Sequence, residues 1–279
     1  MATAPKNTSK WEMCCVFGKE GRGPGEFGNA HGIAATQSGQ IAVADSSNFK
    51  VMIYSNEGQY KEDILLQSRP WDVATFHNHD NRLVVVDSTQ YVKMFKDNKL
   101  LFQFPTVPQS EVDDTQVGLC SVAVRKNGAI LVGDVERLVW TEHNPTNGEI
   151  LRTRPLHTAP HYLTVDDATD RVVACDHGLD IQEVYVCKRK GTPLFTIKPT
   201  INGKPVQHCT GVFCDTSGIY IAVRNEHRTG HIHHYDVDGI FLDCLVQGLF
   251  DPRGITFTSN GQLAVAEWNA IKMYHKAAL

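Results

Sequence analysis

Short apolar segments recur along the whole chain and alternate with polar turns that contain Asn, Asp and Gly. The segments are rich in Val, Ile and aromatic residues, which favour strands, and no stretch has the periodicity of a strong amphipathic helix. The pattern therefore predicts an all-β protein made of many short strands.

The strands are grouped in a unit that repeats six times. Each unit starts with a small residue or proline, then has an apolar strand, a turn and a second apolar strand, as in AHGIAATQSGQIAVAD. The second strands end at Asp45, Asp87, Asp134, Asp176, Arg224 and Glu267. These positions lie 42 to 48 residues apart, a period typical of propeller blades. A third strand follows each unit and a fourth usually does, so one unit corresponds to one four-stranded blade.

The last unit supplies only three strands before the chain ends, whereas WEMCCVF at residues 11–17 is a single strand before the first unit. Adding this strand to the last blade closes a ring and removes an exposed sheet edge. The sequence thus predicts an all-β fold, a six-bladed β-propeller of four-stranded blades that the N-terminal strand closes. Residues 1–10 are expected to form a disordered lead and residues 11–279 one propeller. The alternative is a flat β-sandwich or two smaller β-domains.

Charge and composition narrow the class further. The net charge of -4 argues against a protein that is basic throughout, but a local basic face remains compatible with it. No apolar run reaches the roughly 18 residues of a membrane span. The polar start lacks the apolar core of a signal peptide. The eight cysteines are scattered and expected to be free thiols, so we expect a cytoplasmic protein without membrane contact.

Two stretches resemble a known repeat. The segment FGKEGRGPGEFGNAHGIAATQSGQIAVADSSNFKVMIYSNEGQY (17–60) strongly resembles an NHL repeat, and DPRGITFTSNGQLAVAEWNAIKMY is close to it. The six units and free cysteines look like the C-terminal propeller of the TRIM-NHL family. That family places a RING, B-boxes and a coiled coil before the propeller, none of which this chain contains. The resemblance implies no enzyme activity here, since any ubiquitin-ligase chemistry would lie in the RING.

The strand order assigns residues to two faces of the ring. We call "top face" the one where each inner strand starts and each second strand ends in a corner. Aromatic and cationic residues collect there, whereas the opposite turns, such as TQSG and DDATD, have ordinary turn residues. The predicted contact residues are His31, Asn48, Phe49, Lys50, Arg69, Trp71, Tyr91, Arg137, Tyr162, His177, Arg224, Asn225, His227, Arg228, Arg253 and Trp268.

Several of these residues have a structural alternative. Trp71 and Tyr162 are candidates for wedges between blades, and His31 for either packing or contact. Arg224 replaces the acidic residue that ends the second strand in the other units, which makes the local field more positive. Its alternative role is an ion pair with a neighbouring acid such as Glu226 or Glu267.

Enzymatic and metal chemistry receive little support. Propeller hydrolases hold calcium with convergent carboxylates, but the acids here recur at equivalent positions, which favours a structural role in each corner. His231 and His233 face one side of a strand, yet the sequence shows no third ligand beside them. We therefore predict no metal and no cofactor.

The predicted function is binding of single-stranded RNA across the top face, because rings stack on bases and cations contact phosphates. The resemblance implies a role in post-transcriptional repression or a small-RNA pathway, with short uridine-containing stretches as ligands. Regulatory proteins of mRNA repression are possible further partners of a domain expected to be monomeric. The alternative is a protein-interaction platform of a ubiquitin ligase, since Trp, Tyr and Arg also dominate protein interfaces.

Overall fold

The computed structural model describes residues 11–77, 81–176 and 183–277. Within these residues, six antiparallel four-stranded sheets follow one another around a ring. The predicted all-β, six-bladed propeller is confirmed. The expected disordered lead, residues 1–10, lies outside the described part of the chain. Among the described residues, no helix has the length and apolar character needed to cross a membrane.

The six blades are formed by 24 strands, named here with their bounds. Blade 1 contains β2 (Ala30–Ala35), β3 (Gln40–Asp45), β4 (Lys50–Ser55) and β5 (Tyr60–Leu65). Blade 2 contains β6 (Pro70–Thr75), β7 (Arg82–Asp87), β8 (Tyr91–Lys96) and β9 (Lys99–Pro105). Blade 3 contains β10 (Leu119–Val124), β11 (Ile130–Asp134), β12 (Val139–His143) and β13 (Ile150–Pro155). Blade 4 contains β14 (Tyr162–Asp166), β15 (Arg171–Cys175), β16 (Val184–Lys188) and β17 (Pro193–Ile197). Blade 5 contains β20 (His208–Asp215), β21 (Gly218–Arg224), β22 (Thr229–Tyr235) and β23 (Phe241–Phe250). Blade 6 contains β24 (Ile255–Phe257), β25 (Leu263–Glu267), β26 (Ala270–Lys276) and β1 (Trp11–Phe17).

Two small elements lie in the connections between blades. A 3₁₀ turn, Gln109–Glu111, precedes blade 3. A two-stranded hairpin of β18 (Thr200–Ile201) and β19 (Lys204–Pro205) lies between blades 4 and 5.

The N-terminal strand closes the ring as the sequence predicts. β1 runs antiparallel to β26, with Trp11 opposite Lys276 and Phe17 opposite Ile271. The amide of Ala30 in blade 1 also donates a hydrogen bond to the carbonyl of Trp268 in blade 6, at 2.9 Å. The first and last parts of the chain are therefore joined in one four-stranded sheet, and β26 is not left as a free edge.

The core consists of six apolar clusters, one between each pair of neighbouring blades. β4 shows how one strand serves two clusters. Met52 packs with Ile271 of blade 6, whereas Val51 and Ile53 pack with Val85 of blade 2. Because each blade is covered on both faces, its second strand is a nearly continuous apolar run, such as QIAVAD in β3 and RLVVVD in β7. The outer strands border solvent and carry mostly exposed residues.

The acidic residues at the ends of the second strands hold the top corners. Asp45 accepts hydrogen bonds from the amides of Gly28 and Asn29, both at 2.9 Å. Asp134 accepts in the same way from the amides of Gly118, at 3.0 Å, and Glu136, at 3.1 Å. Both side chains are fully buried. The predicted structural role of these carboxylates is confirmed in blades 1 and 3.

Candidate functional site

Bulges interrupt the inner strands of four blades at equivalent positions. In blades 2, 3 and 5, one residue of the inner strand has no paired residue on the second strand, because the pairing register shifts by one there. These residues are Trp71, Cys120 and Thr210. In blade 1 the shift spans His31 and the next residue. A bulge bends the strand and redirects the side chain of the extra residue. His31 and Trp71, two of the predicted contact residues, thus lie in bulges of neighbouring inner strands.

Three rings from the inner strands of blades 1, 2 and 4 contact one another. The imidazole of His31 stacks on the ring of Tyr162, with centroids 5.9 Å apart and planes within 7°. It contacts Trp71 edge-on at 5.3 Å. Tyr162 is only 7% exposed, so it belongs to the core and offers no free ring. Burial raises the pKa of its phenol, and the nearby charge of Arg253 opposes this effect.

A buried carboxylate gathers three arginines beside these rings. Asp251, 1% exposed, lies in the connection from blade 5 to blade 6. Its oxygens are 3.1 Å from Nε of Arg224, 3.3 Å from Nη2 of Arg253 and 4.0 Å from Nη1 of Arg228. The acid that pairs with Arg224 is therefore Asp251, and not the Glu226 or Glu267 that the sequence suggested. Burial lowers the pKa of Arg224, and the charge of Asp251 opposes this.

Two of these arginines also contact an aromatic ring. The Cζ atoms of Arg228 and Arg253 lie over the ring of Trp268, 5.2 and 5.3 Å from its centroid. The side chain of Arg228 is 51% exposed, whereas those of Arg224 and Arg253 are 14% and 13% exposed. Three guanidinium groups around one carboxylate leave an excess of positive charge, which Arg228 presents to solvent.

The top corners of blades 1, 3 and 5 share a backbone feature. The fourth residue after the end of the second strand has a positive φ: 55° at Phe49, 53° at Leu138 and 59° at Arg228. All three side chains point to solvent, with Phe49 40% and Leu138 42% exposed. A non-glycine residue in this region is strained, by about 1–2 kcal/mol. The corners thus hold exposed side chains in a conformation that glycine would adopt at less cost.

Two predicted contact residues of blade 1 have structural partners. Lys50 is 3% exposed, and its Nζ bonds the carbonyl of Gly23 at 3.1 Å and the carboxylate of Asp63 at 3.0 Å. The expectation that Lys50 lies at the surface is wrong. Asn48 is half-buried and donates to the carbonyl of Gly21 at 2.8 Å. Both side chains therefore fix the glycine-rich loop that leads into the blade.

Some of the other predicted contact residues are fixed by hydrogen bonds, and the rest are partly or fully exposed. Arg137 bonds the carboxylate of Asp134 at 2.5 Å and the Thr106 hydroxyl at 3.1 Å, so its guanidinium is anchored. Asn225 accepts two backbone hydrogen bonds within its own corner. The remaining described positions are half-buried Tyr91 and Trp71 and exposed Arg69 and His227. His177 lies outside the described residues.

The sequence did not reveal two acids that shape the top face and the channel. The repeat pattern did not indicate Asp251, because this residue lies in an inter-blade connection and not at a repeated position. Asp72 follows Trp71 in the apolar run WDVATF, where a charge at an inner-strand position was the available signal. Its carboxylate accepts the amides of Val73 and Val122, both at 2.9 Å, and so joins blades 2 and 3. Burial beside a channel of about 260 Å³ raises the pKa of Asp72 to about 7.

Comparison with known proteins identifies the repeat. Residues 27–54 match the model of the NHL repeat. Tripartite motif-containing protein 2 of Rattus norvegicus is 45% identical over 56 residues, which are 20% of this chain and 8% of that protein. Tripartite motif-containing protein 3 of Mus musculus is 48% identical over 50 residues, 18% of this chain and 7% of that protein. The human protein 2 is 43% identical over 56 residues.

The protein is a six-bladed β-propeller, and one segment of it matches the NHL repeat. It resembles the NHL domain of tripartite motif-containing proteins 2 and 3, which are TRIM-NHL proteins, and the resemblance stated from the sequence is confirmed. The matched segments span less than a tenth of the length of these relatives.

Proposed function

We propose that this propeller is a non-enzymatic domain whose top face binds single-stranded RNA. The observation that carries the proposal is the arrangement of Arg228 over Trp268, beside the Asp251 that orients Arg224 and Arg253. An exposed guanidinium that an indole ring and a buried acid hold in place is suited to a phosphate or a base plane. The resemblance to TRIM-NHL proteins supports uridine-containing stretches as ligands and post-transcriptional repression as the process.

The shape of the face favours a single strand over a duplex. The corners are short, and exposed rings and cations lie at different blades, with Phe49 on blade 1, Arg69 before blade 2 and Arg228 on blade 5. A splayed strand can bring a base or phosphate to each of these points in turn. Lys50 and Tyr162 are buried, so the proposal assigns the RNA contacts to the accessible residues of the top face.

Fluorescence anisotropy with short labelled RNA pools, at two salt concentrations, tests this function. Affinity is expected to fall steeply with salt, because phosphate contacts release counterions. Arg228→Gln should weaken binding and reduce the slope of log K against log salt by roughly 0.7. Lys99→Gln removes a charge from an exposed position at the start of an outer strand and is the matched control. Absence of binding to every pool at low salt, or equal affinity of the two variants, overturns the proposal.

A second candidate function is a protein-interaction platform, as part of a TRIM-type ubiquitin ligase. Exposed apolar side chains at the top ends of the blades favour it. Phe49, Leu65, Leu138 and Phe250 are 40%, 78%, 42% and 53% exposed. A protein ligand that covers them should bind with weak salt dependence, because apolar burial releases no counterions. Binding of this kind, without affinity for RNA, would favour the platform.

A further inference from the structure

One side of blade 5 gathers two imidazoles and a thiol. His231 and His233 are two residues apart on β22 and point to the same side of the sheet. Tyr235 continues this side and packs in the cluster shared with blade 4. Cys244 lies on the neighbouring strand β23, directly opposite His233 in the pairing register. The strand pairing thus supplies the third ligand that the sequence did not reveal.

The three side chains already have nearly the spacing of a metal site. One ligand atom of each residue lies within 4.8 Å of the other two. The Sγ atom of Cys244 is 3.7 Å from Nδ1 of His231. Tetrahedral zinc with bonds of about 2.0–2.3 Å holds its ligand atoms roughly 3.3–3.8 Å apart. Side-chain rotations that close about 1 Å are therefore enough for all three to reach one ion.

From this geometry we propose that His231, His233 and Cys244 bind one Zn²⁺ ion. Imidazole and thiolate ligands suit zinc, whereas Mg²⁺ and Ca²⁺ require oxygen ligands. Binding forms two Zn–N bonds and one Zn–S bond, and the Cys244 thiol releases one proton to solvent. A water molecule completes the tetrahedron. The site joins β22 to β23 and follows directly after the corner that carries Arg228.

The contacts that now hold these groups are weak enough to be exchanged for metal bonds. Nδ1 of His233 is 3.4 Å from the hydroxyl of Tyr235, and the Cys244 thiol is 3.6 Å from the carbonyl of Val246. Cys244 is half-buried, which leaves an approach from solvent.

Metal titration of the full chain, freed of metal with a chelator, tests the site. One equivalent of Zn²⁺ is expected to bind, and Co²⁺ as a probe should give a thiolate-to-cobalt charge-transfer band. Cys244→Ser and His231→Gln should weaken Zn²⁺ binding by more than about 100-fold, since even residues outside the ligand set change affinity 10–100-fold. His234→Gln, on the other side of β22, is the matched control and should retain affinity.

A measurement on the unaltered chain covers the case in which a variant does not fold. Zn²⁺ should protect Cys244 from alkylation, read by peptide mass spectrometry, and leave the exposed Cys14 reactive. Zinc that fails to bind, that binds equally to Cys244→Ser, or that leaves Cys244 reactive overturns the proposal. Zinc that binds in either of the last two ways would indicate adventitious binding by surface histidines only.

Discussion

Nε of Arg224 lies 3.1 Å from Oδ1 of Asp251, and this contact joins blade 5 to the connection that enters blade 6. Blade 1 has the acid at the end of its second strand, where Asp45 binds amides of its own blade. Blade 5 has the cationic Arg224 at the equivalent position, and the acid, Asp251, comes from the connection that follows the blade. This replacement of an acid by arginine connects blade 5 with the start of blade 6. It also places three arginines around one buried carboxylate.

Replacing this carboxylate should destabilise the ring. In Asp251→Asn, Arg224 and Arg253 keep their largely buried charges without a counterion, so the free energy of unfolding should fall by about 3–5 kcal/mol. Urea unfolding measures the change. Asp238→Asn is the control, because its side chain is 74% exposed and lies 3.7 Å from Arg171. That variant should stay within about 0.5 kcal/mol of the parent. Equal effects of the two would show that the Asp251 cluster does not stabilise the fold.

Arg224 and Arg228 should respond differently to charge reversal. Arg224→Glu places two carboxylates together at a site only 14% exposed, so the melting temperature should drop by several degrees. Arg228→Glu loses a cation–π contact at a half-exposed site, which is worth about 0.5–1 kcal/mol. RNA affinity should nevertheless fall in Arg228→Glu, as anisotropy would detect. An Arg224→Glu protein that melts like the parent would contradict the buried ion pair.

Substitutions of Phe49 in the corner of blade 1 separate the effect of backbone strain on stability from the effect of the ring on RNA binding. Phe49 has a φ of 55°, where glycine is less strained. Phe49→Gly should therefore be more stable than Phe49→Ala by about 0.5–1 kcal/mol, as measured by thermal unfolding. Both variants lack the ring and should lose RNA affinity equally if the ring stacks on a base. Greater stability of the alanine variant would argue against strain at this corner.

Asp72 should make stability depend on pH. Its folded pKa of about 7 is above the unfolded value near 4, so the folded chain holds the extra proton between these values. The contribution of Asp72 to the free energy of unfolding therefore falls as pH rises from about 4 to 7, by at most about 1.4 kcal/mol per pH unit.

The comparison with Asp72→Asn isolates this effect. Burial lowers the pKa of His143 and His233 to about 4, so these two residues make stability rise with pH over the same range. Both proteins contain these two histidines, so their contribution cancels when the free energy of unfolding of the variant is subtracted from that of the parent at each pH. The free energy of unfolding of each protein is measured by urea unfolding at pH values from 5 to 8. A constant difference between parent and variant over this range would show that Asp72 does not titrate there.

The repeat pattern was sufficient to predict the architecture. Apolar runs such as QIAVAD and the regular spacing of Asp45, Asp87 and Asp134 are local signals, and they indicated six blades, the closing strand and the structural role of the acids. Such signals survive in a single sequence because each blade has to bury both faces of its middle strands. The assignment of residues to one face followed from the same strand order.

The tertiary structure decided which of those residues are accessible. Lys50 is buried because Asp63 lies beside it on the next strand, and Arg224 is paired because Asp251 comes from another connection. His231 and His233 meet Cys244 only through the register of β22 and β23. The two-residue period of a strand determines the side on which each residue lies, and it can be counted in the sequence. Ion pairs and ligand sets depend on distances between separate segments, and only the folded ring fixes these distances.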